Sequence, residues 1–213
     1  MYTLAASIIW GINTLFLRST GLSIAEAFIA NAAFSVGTVL FEIPTGVVAH
    51  TIGRRASFLL SLIVLAASTL AYVGLAQIGG GVVGFSLVSV FMGLGYTFYS
   101  GAMEAWLVDG VRALGFDGDM DRVFSTGQIV GGVAMLVGTI GGGFLGQIDL
   151  SLPFLVRSGL LVALFFLAFF GMHDVGFEPR PVTLRTLPSE ASAIGKEGIR
   201  HGWRFRPRNR RNL

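Results

Sequence analysis

The sequence contains no cysteine and little charge, and both shortages exclude whole classes of protein. Without cysteine, the 213 residues hold no disulfide scaffold, no thiolate metal site and no cysteine nucleophile. Asp, Glu, Lys and Arg make up 13% of the chain, against about 25% in soluble domains, and none occurs from Ala56 to Met103. Hydrophobic residues make up 53%, and the mean hydropathy is +0.73. The composition excludes a soluble globular domain and a disordered chain, and predicts a membrane protein.

Six apolar stretches approach or exceed the roughly 20 residues that cross a bilayer as a helix. Helices are expected because lipid offers no partner to an open strand edge. The first stretch lacks the basic start and the cleavage site of a signal peptide. The predicted fold is an all-α membrane protein with six transmembrane helices in residues 1–172, followed by a basic tail in 173–213. The predicted spans are about 2–17, 24–49, 56–78, 82–108, 123–148 and 150–172.

Basic residues are concentrated on one side of the predicted membrane. Thirteen of the 15 Lys and Arg lie in the tail or in the loops after the second and fourth spans. Of the other two, Arg18 lies on the opposite side, and Arg157, inside the sixth span, is expected to extend to the outer interface. Because short cytoplasmic loops carry the basic excess, both termini are predicted to be cytoplasmic. The basic tail favours anionic lipid or an irregular end, and nucleic acid is not an expected partner.

The loop between the second and third spans carries a recognisable motif. It reads Gly46-Val-Val-Ala-His50-Thr-Ile-Gly53-Arg54-Arg55. This resembles the Gly-x-x-x-Asp-x-x-Gly-Arg-Arg/Lys loop signature of the major facilitator superfamily, at the place where that family carries it. The preceding Glu-Ile-Pro-Thr-Gly segment, residues 42–46, and the end of the fourth span, residues 100–109, are similar to a bacterial efflux-like branch of the family.

The resemblance implies one six-helix half of a transporter in the bacterial inner membrane. Whole members have two such halves around a site at the bilayer midplane. The implied function is export of a small molecule by alternating access, coupled to protons. In the family an Arg of this loop pairs with an acid that ends the fourth helix. By match, Arg54 would pair with Asp109 as a cytoplasmic latch that stabilises the outward-open state.

The loop residues also have separate physical roles. Gly46 is expected to admit another helix at the end of the second span, and Gly53 to permit the turn into the third. Arg54 and Arg55 hold the loop in the cytoplasm. The acidic position of the signature is His50, which is mostly neutral at pH 7. We therefore expect a weakened latch, since a neutral ring cannot supply the anion that a helix N-terminus favours.

Glycines form a stripe along the fifth span, within about 100° of helix surface. Such small-residue stripes let membrane helices pack closely, so helix packing is their predicted role. A part in antiport, by resemblance to a helix-five motif that lacks its proline here, is the alternative. The stripe consists of Gly127, Gly131, Gly138, Gly142 and Gly146.

Polar side chains within the spans are the candidates for coupling or for lining a cavity, because charge at membrane depth is costly. Glu104 is the first candidate for carrying a proton, and Glu42 is the second; a structural hydrogen bond is the alternative for each. Five further residues are candidates for lining a central cavity, with core packing as the alternative for each: Trp10, Asn13, Asn31, Tyr96 and Gln128.

The two ends of the chain predict a truncated or partial transporter. The first span starts at residue 2, and Arg-rich sequence follows a predicted linker helix at 189–203 where a seventh span would run. The expected partners are the bilayer, a small-molecule substrate, protons, and either the missing six-helix half or a second copy. A non-transporting remnant or helix-packing module is the alternative. No pattern predicts an enzyme, a cofactor or a metal: the GxGxxG matches lie outside any βαβ unit, and the acidic loop at 117–121 lacks the calcium-loop glycine.

Overall fold

The computed structural model describes residues 1–113, 115, 118 and 120–174, which form a bundle of helices without a strand. The predicted tail from residue 175 onward, with its linker helix, lies outside the described residues. The seven helices are α1 (Tyr2–Ser7), α2 (Asn13–Ser19), α3 (Ile24–Thr51), α4 (Arg54–Ile78), α5 (Gly81–Ala113), α6 (Met120–Ile148) and α7 (Leu152–Gly171).

Five of these helices, α3 to α7, are long and apolar enough to cross a membrane. This confirms the predicted all-α membrane class. The six-span count stays a prediction, because the first predicted span is divided into α1 and α2, and neither reaches the length of a membrane span.

The division of the first span lies at residues 8–12, which form turns instead of regular helix. The Trp10 N–H donates to the Ser7 carbonyl at 3.1 Å, and the Ile12 N–H donates to the Ile9 carbonyl at 3.2 Å. These three-residue spacings are tighter than the α-helical pattern. Irregular backbone at membrane depth is tolerated where protein covers it or where it lines a cavity. The interruption therefore marks the first span as a place to look for a binding site.

Local signals set the ends of the longer helices. Ser23 and Glu26 form a capping box at the start of α3: the Ser23 hydroxyl accepts from the Glu26 N–H, and the Glu26 carboxylate accepts from the Ser23 N–H at 2.8 Å. Gly53 separates α3 from α4 with φ of 119°, and Gly79 ends α4 with φ of 68°. Both values lie in the region that favours glycine.

Aromatic and glycine contacts hold the bundle together. Phe16 of α2 lies 4.3 Å from Phe154 of α7, between ring centroids, and Tyr72 of α4 meets Phe85 of α5 edge-on at 5.1 Å. These four rings are fully buried. Helices α3 and α5 approach closely, since a side chain at Gly37 would overlap the Val90 backbone.

Only part of the glycine stripe on α6 contacts another described segment. A side chain at Gly138 would overlap Ser7, and one at Gly142 would overlap the Ile8 carbonyl. Gly146 lies against Ile12. The interruption of the first span therefore rests on these three glycines. A side chain at Gly127 or Gly131 would meet no described atom within 4 Å, so that part of the stripe packs against nothing in the described chain.

Candidate functional site

A cavity of about 620 Å³ lies beside the interrupted first span. Its wall combines residues of α1, α2 and the turns between them with residues of α3, α4, α5 and α7. Six of the lining residues are aromatic and six are polar. The aromatic ones are Tyr2, Trp10, Phe34, Tyr72, Tyr96 and Tyr99, and the polar ones are Thr3, Asn13, Thr14, Asn31, Ser89 and Arg157.

Arg157 is buried in this wall, and its predicted extension to the outer interface is wrong. The residue is 6% exposed and lines the cavity. Its Nε is buried without a hydrogen-bond partner among the described residues. The prediction failed because the position in the span gives the depth of a side chain but not the face of the helix that carries it. A cation at this depth is a candidate functional group.

A small amide network forms the wall on the side of α2 and α3. The Asn13 side-chain N–H donates to the Asn31 carbonyl oxygen at 2.6 Å, and the Asn31 amide donates to the Thr14 hydroxyl at 3.3 Å. The Asn13 Oδ1 is buried without a partner among the described residues. The cavity therefore presents one unpaired acceptor and one unpaired donor. Tyr72 and Ser89 complete part of the wall with a mutual hydrogen bond.

The loop motif lies at the other end of α4, where Arg54 and Asp109 form an ion pair. The Arg54 Nε lies 3.3 Å from the Asp109 Oδ2, and their side chains are 9% and 27% exposed. The Arg54 Nη2 is 3.3 Å from His50 Nδ1. Because a guanidinium only donates, Nδ1 is the acceptor, which requires the proton of the neutral ring to be on Nε2. Tyr72, which lines the cavity, is about 27 Å further along α4 at 1.5 Å per residue.

Arg55 has a different set of contacts from Arg54, although the two are adjacent. Its guanidinium donates to the Phe169 carbonyl and lies 5.2 Å above the Phe169 ring, and its backbone N–H donates to the Asp174 carboxylate at 2.8 Å. Trp106 of α5 donates its indole N–H to the His173 carbonyl at 2.8 Å. These bonds attach the end of α7 to α4 and α5. Cations favour this position because carbonyls at a helix C-terminus lack partners.

The remaining predicted residues belong neither to the cavity lining nor to the Arg54–Asp109 pair. Glu42, Glu104 and Gln128 have exposed side chains and do not line the cavity. A side chain added at Gly46 would meet no described atom within 4 Å, so no described helix packs closely against this glycine. Of the five cavity candidates, four line the cavity and Gln128 does not; the four are Trp10, Asn13, Asn31 and Tyr96. Sequence reasoning did not find Tyr2, Tyr72 or Ser89; a polar group inside an apolar run was the signal for Tyr72 and Ser89.

Comparison with known proteins identifies the family. A model described as Major Facilitator Superfamily matches residues 1–211. No curated protein and no solved structure matches the chain. Members of this superfamily transport small molecules across membranes and are not enzymes. The match covers nearly the whole sequence and agrees with the membrane-length helices, so the chain belongs to the Major Facilitator Superfamily.

Proposed function

We propose that this chain exports a small molecule by alternating access, with the cavity as its substrate site and the Arg54–Asp109 pair as a latch at the cytoplasmic end. The proposal includes proton coupling, membership of an efflux-like branch and residence in the bacterial inner membrane. It also holds that the chain works as one six-helix half, paired with a second half or a second copy.

The observation that carries the proposal is the cavity beside the interrupted first span. Transporter sites lie near the membrane midplane where discontinuous helices expose polar groups. Here the turns at residues 8–12 bring Trp10 and Asn13 into the wall. A volume of about 620 Å³ is within the range of roughly 300–1,000 Å³ for small-molecule sites.

The latch supports the proposal because it lies at the opposite end of α4 from Tyr72. An ion pair between the start of α4 and the end of α5 can hold that end closed while the cavity end is accessible. An exposed pair is typically worth about 0–1 kcal/mol, but the partial burial of this pair makes the loss of one partner more costly, because the other charge is left unpaired. Breaking it should shift the population towards access from the Arg54 end.

Alternating access is tested with single cysteines, since the native chain has none. Thr14→Cys places a thiol in the cavity wall, and Thr51→Cys places one beside the latch. In proteoliposomes, an imposed proton gradient should change maleimide labelling at the two positions in opposite directions. Ser125→Cys, on the exposed start of α6, is the control that should not change. Parallel changes, or none, would contradict alternating access.

Transport is measured separately, as accumulation of a panel of labelled organic anions, cations and neutral compounds in inverted vesicles. Export from cells corresponds to uptake in these vesicles. A chain that neither accumulates any compound nor alternates would be the non-transporting remnant or helix-packing module.

Proton coupling is assigned to Glu104, with Glu42 as the second candidate. Glu104→Gln should abolish uptake driven by a proton gradient and leave substrate exchange without a gradient intact, because exchange needs no net proton movement. Glu42→Gln is the matched variant. If both variants retain gradient-driven uptake, neither carboxylate couples transport to protons.

A further inference from the structure

Arg157 places a permanent positive charge in a cavity whose described wall has no acidic side chain. The residue is 6% exposed, and its Nε lacks a partner among the described residues. A guanidinium stays protonated in proteins, so this charge cannot be removed by losing a proton. An uncompensated buried charge is strongly unfavourable. A bound anion would therefore stabilise the buried Arg157 guanidinium.

The number of charged residues that line the cavity indicates the charge of that anion. Arg157 is the single charged residue among those described around the cavity. One guanidinium balances a monoanion, and its planar fork matches the two oxygens of a carboxylate. A dianionic phosphate would bring a second negative charge with no cation in the described wall to meet it.

The other lining residues indicate what the uncharged part of the ligand contains. Aromatic rings such as Trp10, Tyr96 and Tyr99 offer faces and edges to a flat apolar group. The unpaired Asn13 Oδ1 calls for a hydrogen-bond donor, because a buried acceptor without a partner is unfavourable. A ligand with a ring, a carboxylate and a donor would satisfy all three features.

We propose that the cavity binds small aromatic monocarboxylates that carry a hydrogen-bond donor. Arg157 binds the carboxylate, Asn13 accepts from the donor, and the aromatic wall contacts the ring. This inference rests on the proposed transport function, since it names the substrate class of the same cavity.

The test compares two fluorescent probes that differ in one group: 2-aminobenzoate has a carboxylate where 2-aminobenzamide has a neutral amide. Both have the ring and the amino donor. Binding to the purified full chain in phosphatidylcholine nanodiscs is measured by equilibrium dialysis, and energy transfer from tryptophan to the bound probe reports its proximity to Trp10. The wild-type chain should bind 2-aminobenzoate at least tenfold more tightly than the amide. Equal affinities, or no binding of either probe, would overturn the proposal without any variant.

Variants then identify the cation. Arg157→Gln should weaken 2-aminobenzoate binding at least tenfold, leave the amide unchanged and not lower the thermal unfolding midpoint, because it removes an unpaired buried charge. Arg157→Lys should bind with intermediate affinity. Arg18→Gln, an exposed position of α2 outside the cavity, is the matched control. Unchanged 2-aminobenzoate affinity in Arg157→Gln would refute the assignment of Arg157.

Two further results separate the possible failures. Loss of 2-aminobenzoate binding in phosphatidylglycerol nanodiscs would assign Arg157 to an anionic lipid headgroup and overturn the proposal. A chain that alternates in the cysteine experiment but binds both probes equally would refute the anion site alone. A chain that binds 2-aminobenzoate through Arg157 but does not alternate would refute transport alone.

Discussion

Arg54 and Arg157 are buried to a similar degree but in different surroundings. They are 7% and 6% exposed. Arg54 is paired with the Asp109 carboxylate and with His50, whereas the Arg157 Nε has no partner in the described chain. Removing one member of a buried pair leaves the other charge unpaired, while removing an unpaired charge relieves an unfavourable burial. The two arginines should therefore respond in opposite ways to neutral substitution.

We expect Arg54→Gln to open the latch end of the molecule. The pair is intermediate between an exposed pair and a fully buried one, so its loss should shift the conformational free energy by about 1–2 kcal/mol. That corresponds to roughly a 5–30-fold change in population. Faster maleimide labelling of Thr51→Cys measures it. Asp109→Asn should give the same change, and the double variant should add little. Additive effects would mean that the two residues act separately.

His50→Asp should strengthen the latch. In the structure the His50 ring accepts from the Arg54 Nη2 at 3.3 Å, and a carboxylate in its place would add the attraction between opposite charges to that hydrogen bond. It would also supply the anion of the family signature. Labelling of Thr51→Cys should slow several-fold, and His50→Asn, which keeps the position neutral, should not slow it. Unchanged accessibility in His50→Asp would show that the charge has no part in the latch.

The sequence could predict the candidate site only in part, because it does not show the direction in which a side chain points from its helix. The resemblance of the loop to the family signature predicted contact between Arg54 and Asp109, because residues of a family motif make the same tertiary contacts in different members. The face on which a lone side chain lies does not follow from hydropathy. Arg157 was therefore expected at the interface although it is buried. In the same way, the exposure of the Glu104 side chain does not follow from its position in the fourth span.

At the scale of elements, the interrupted first span and helix α6 act as one unit. Because Gly138 and Gly142 have no side chains, Ser7 and the Ile8 carbonyl can lie directly against α6. The Thr139 hydroxyl approaches the Ser7 carbonyl at 3.5 Å. Close approach through small residues is a common way for membrane helices to associate. Helix α6 thus packs against the irregular turns on one side, while Ile9 and Trp10 of the turns line the cavity on the other.

Gly142→Ala should destabilise this contact, whereas Gly131→Ala should not. An added methyl at Gly142 would overlap the Ile8 carbonyl, and one at Gly131 would meet no described atom within 4 Å. Overpacking typically costs about 1–3 kcal/mol, so the unfolding midpoint of Gly142→Ala in detergent should fall by several degrees. Gly131→Ala is the matched control on the same helix. Equal midpoints for the two variants would mean that α6 does not pack on the first span as described.

The helices themselves were largely predictable, but the interruption was not. Long uncharged runs identify membrane helices because the bilayer fixes their length, and Gly79 marks the end of α4 by its backbone freedom. Residues 8–12, in contrast, are mainly isoleucine, with tryptophan and glycine, and read as continuous apolar helix. Their turns depend on packing against the α6 glycines, which is a tertiary effect that no local pattern encodes.

At the scale of the whole molecule, large apolar surfaces are left uncovered. Helices α3 and α6 expose large side chains such as Val39, Leu40, Ile129 and Val130. Lipid can cover such surfaces, but the glycines at 127 and 131 leave a shallow groove with no described neighbour. Their four-residue spacing is the small-xxx-small pattern of membrane helix pairs. That groove is where we expect the paired half or second copy to pack.

We expect this chain, expressed alone in membranes, to pair with a second copy through α6. A cysteine at Gly131 would face the groove, and in a symmetric pair the same position on both copies would be close. Gly131→Cys should therefore give a disulfide-linked dimer on mild oxidation, since no native cysteine competes. Ser158→Cys, buried on α7, is the control and should stay monomeric. Monomer alone from Gly131→Cys would rule out the symmetric α6 pair and would favour a separate six-helix half as the partner that completes the transporter.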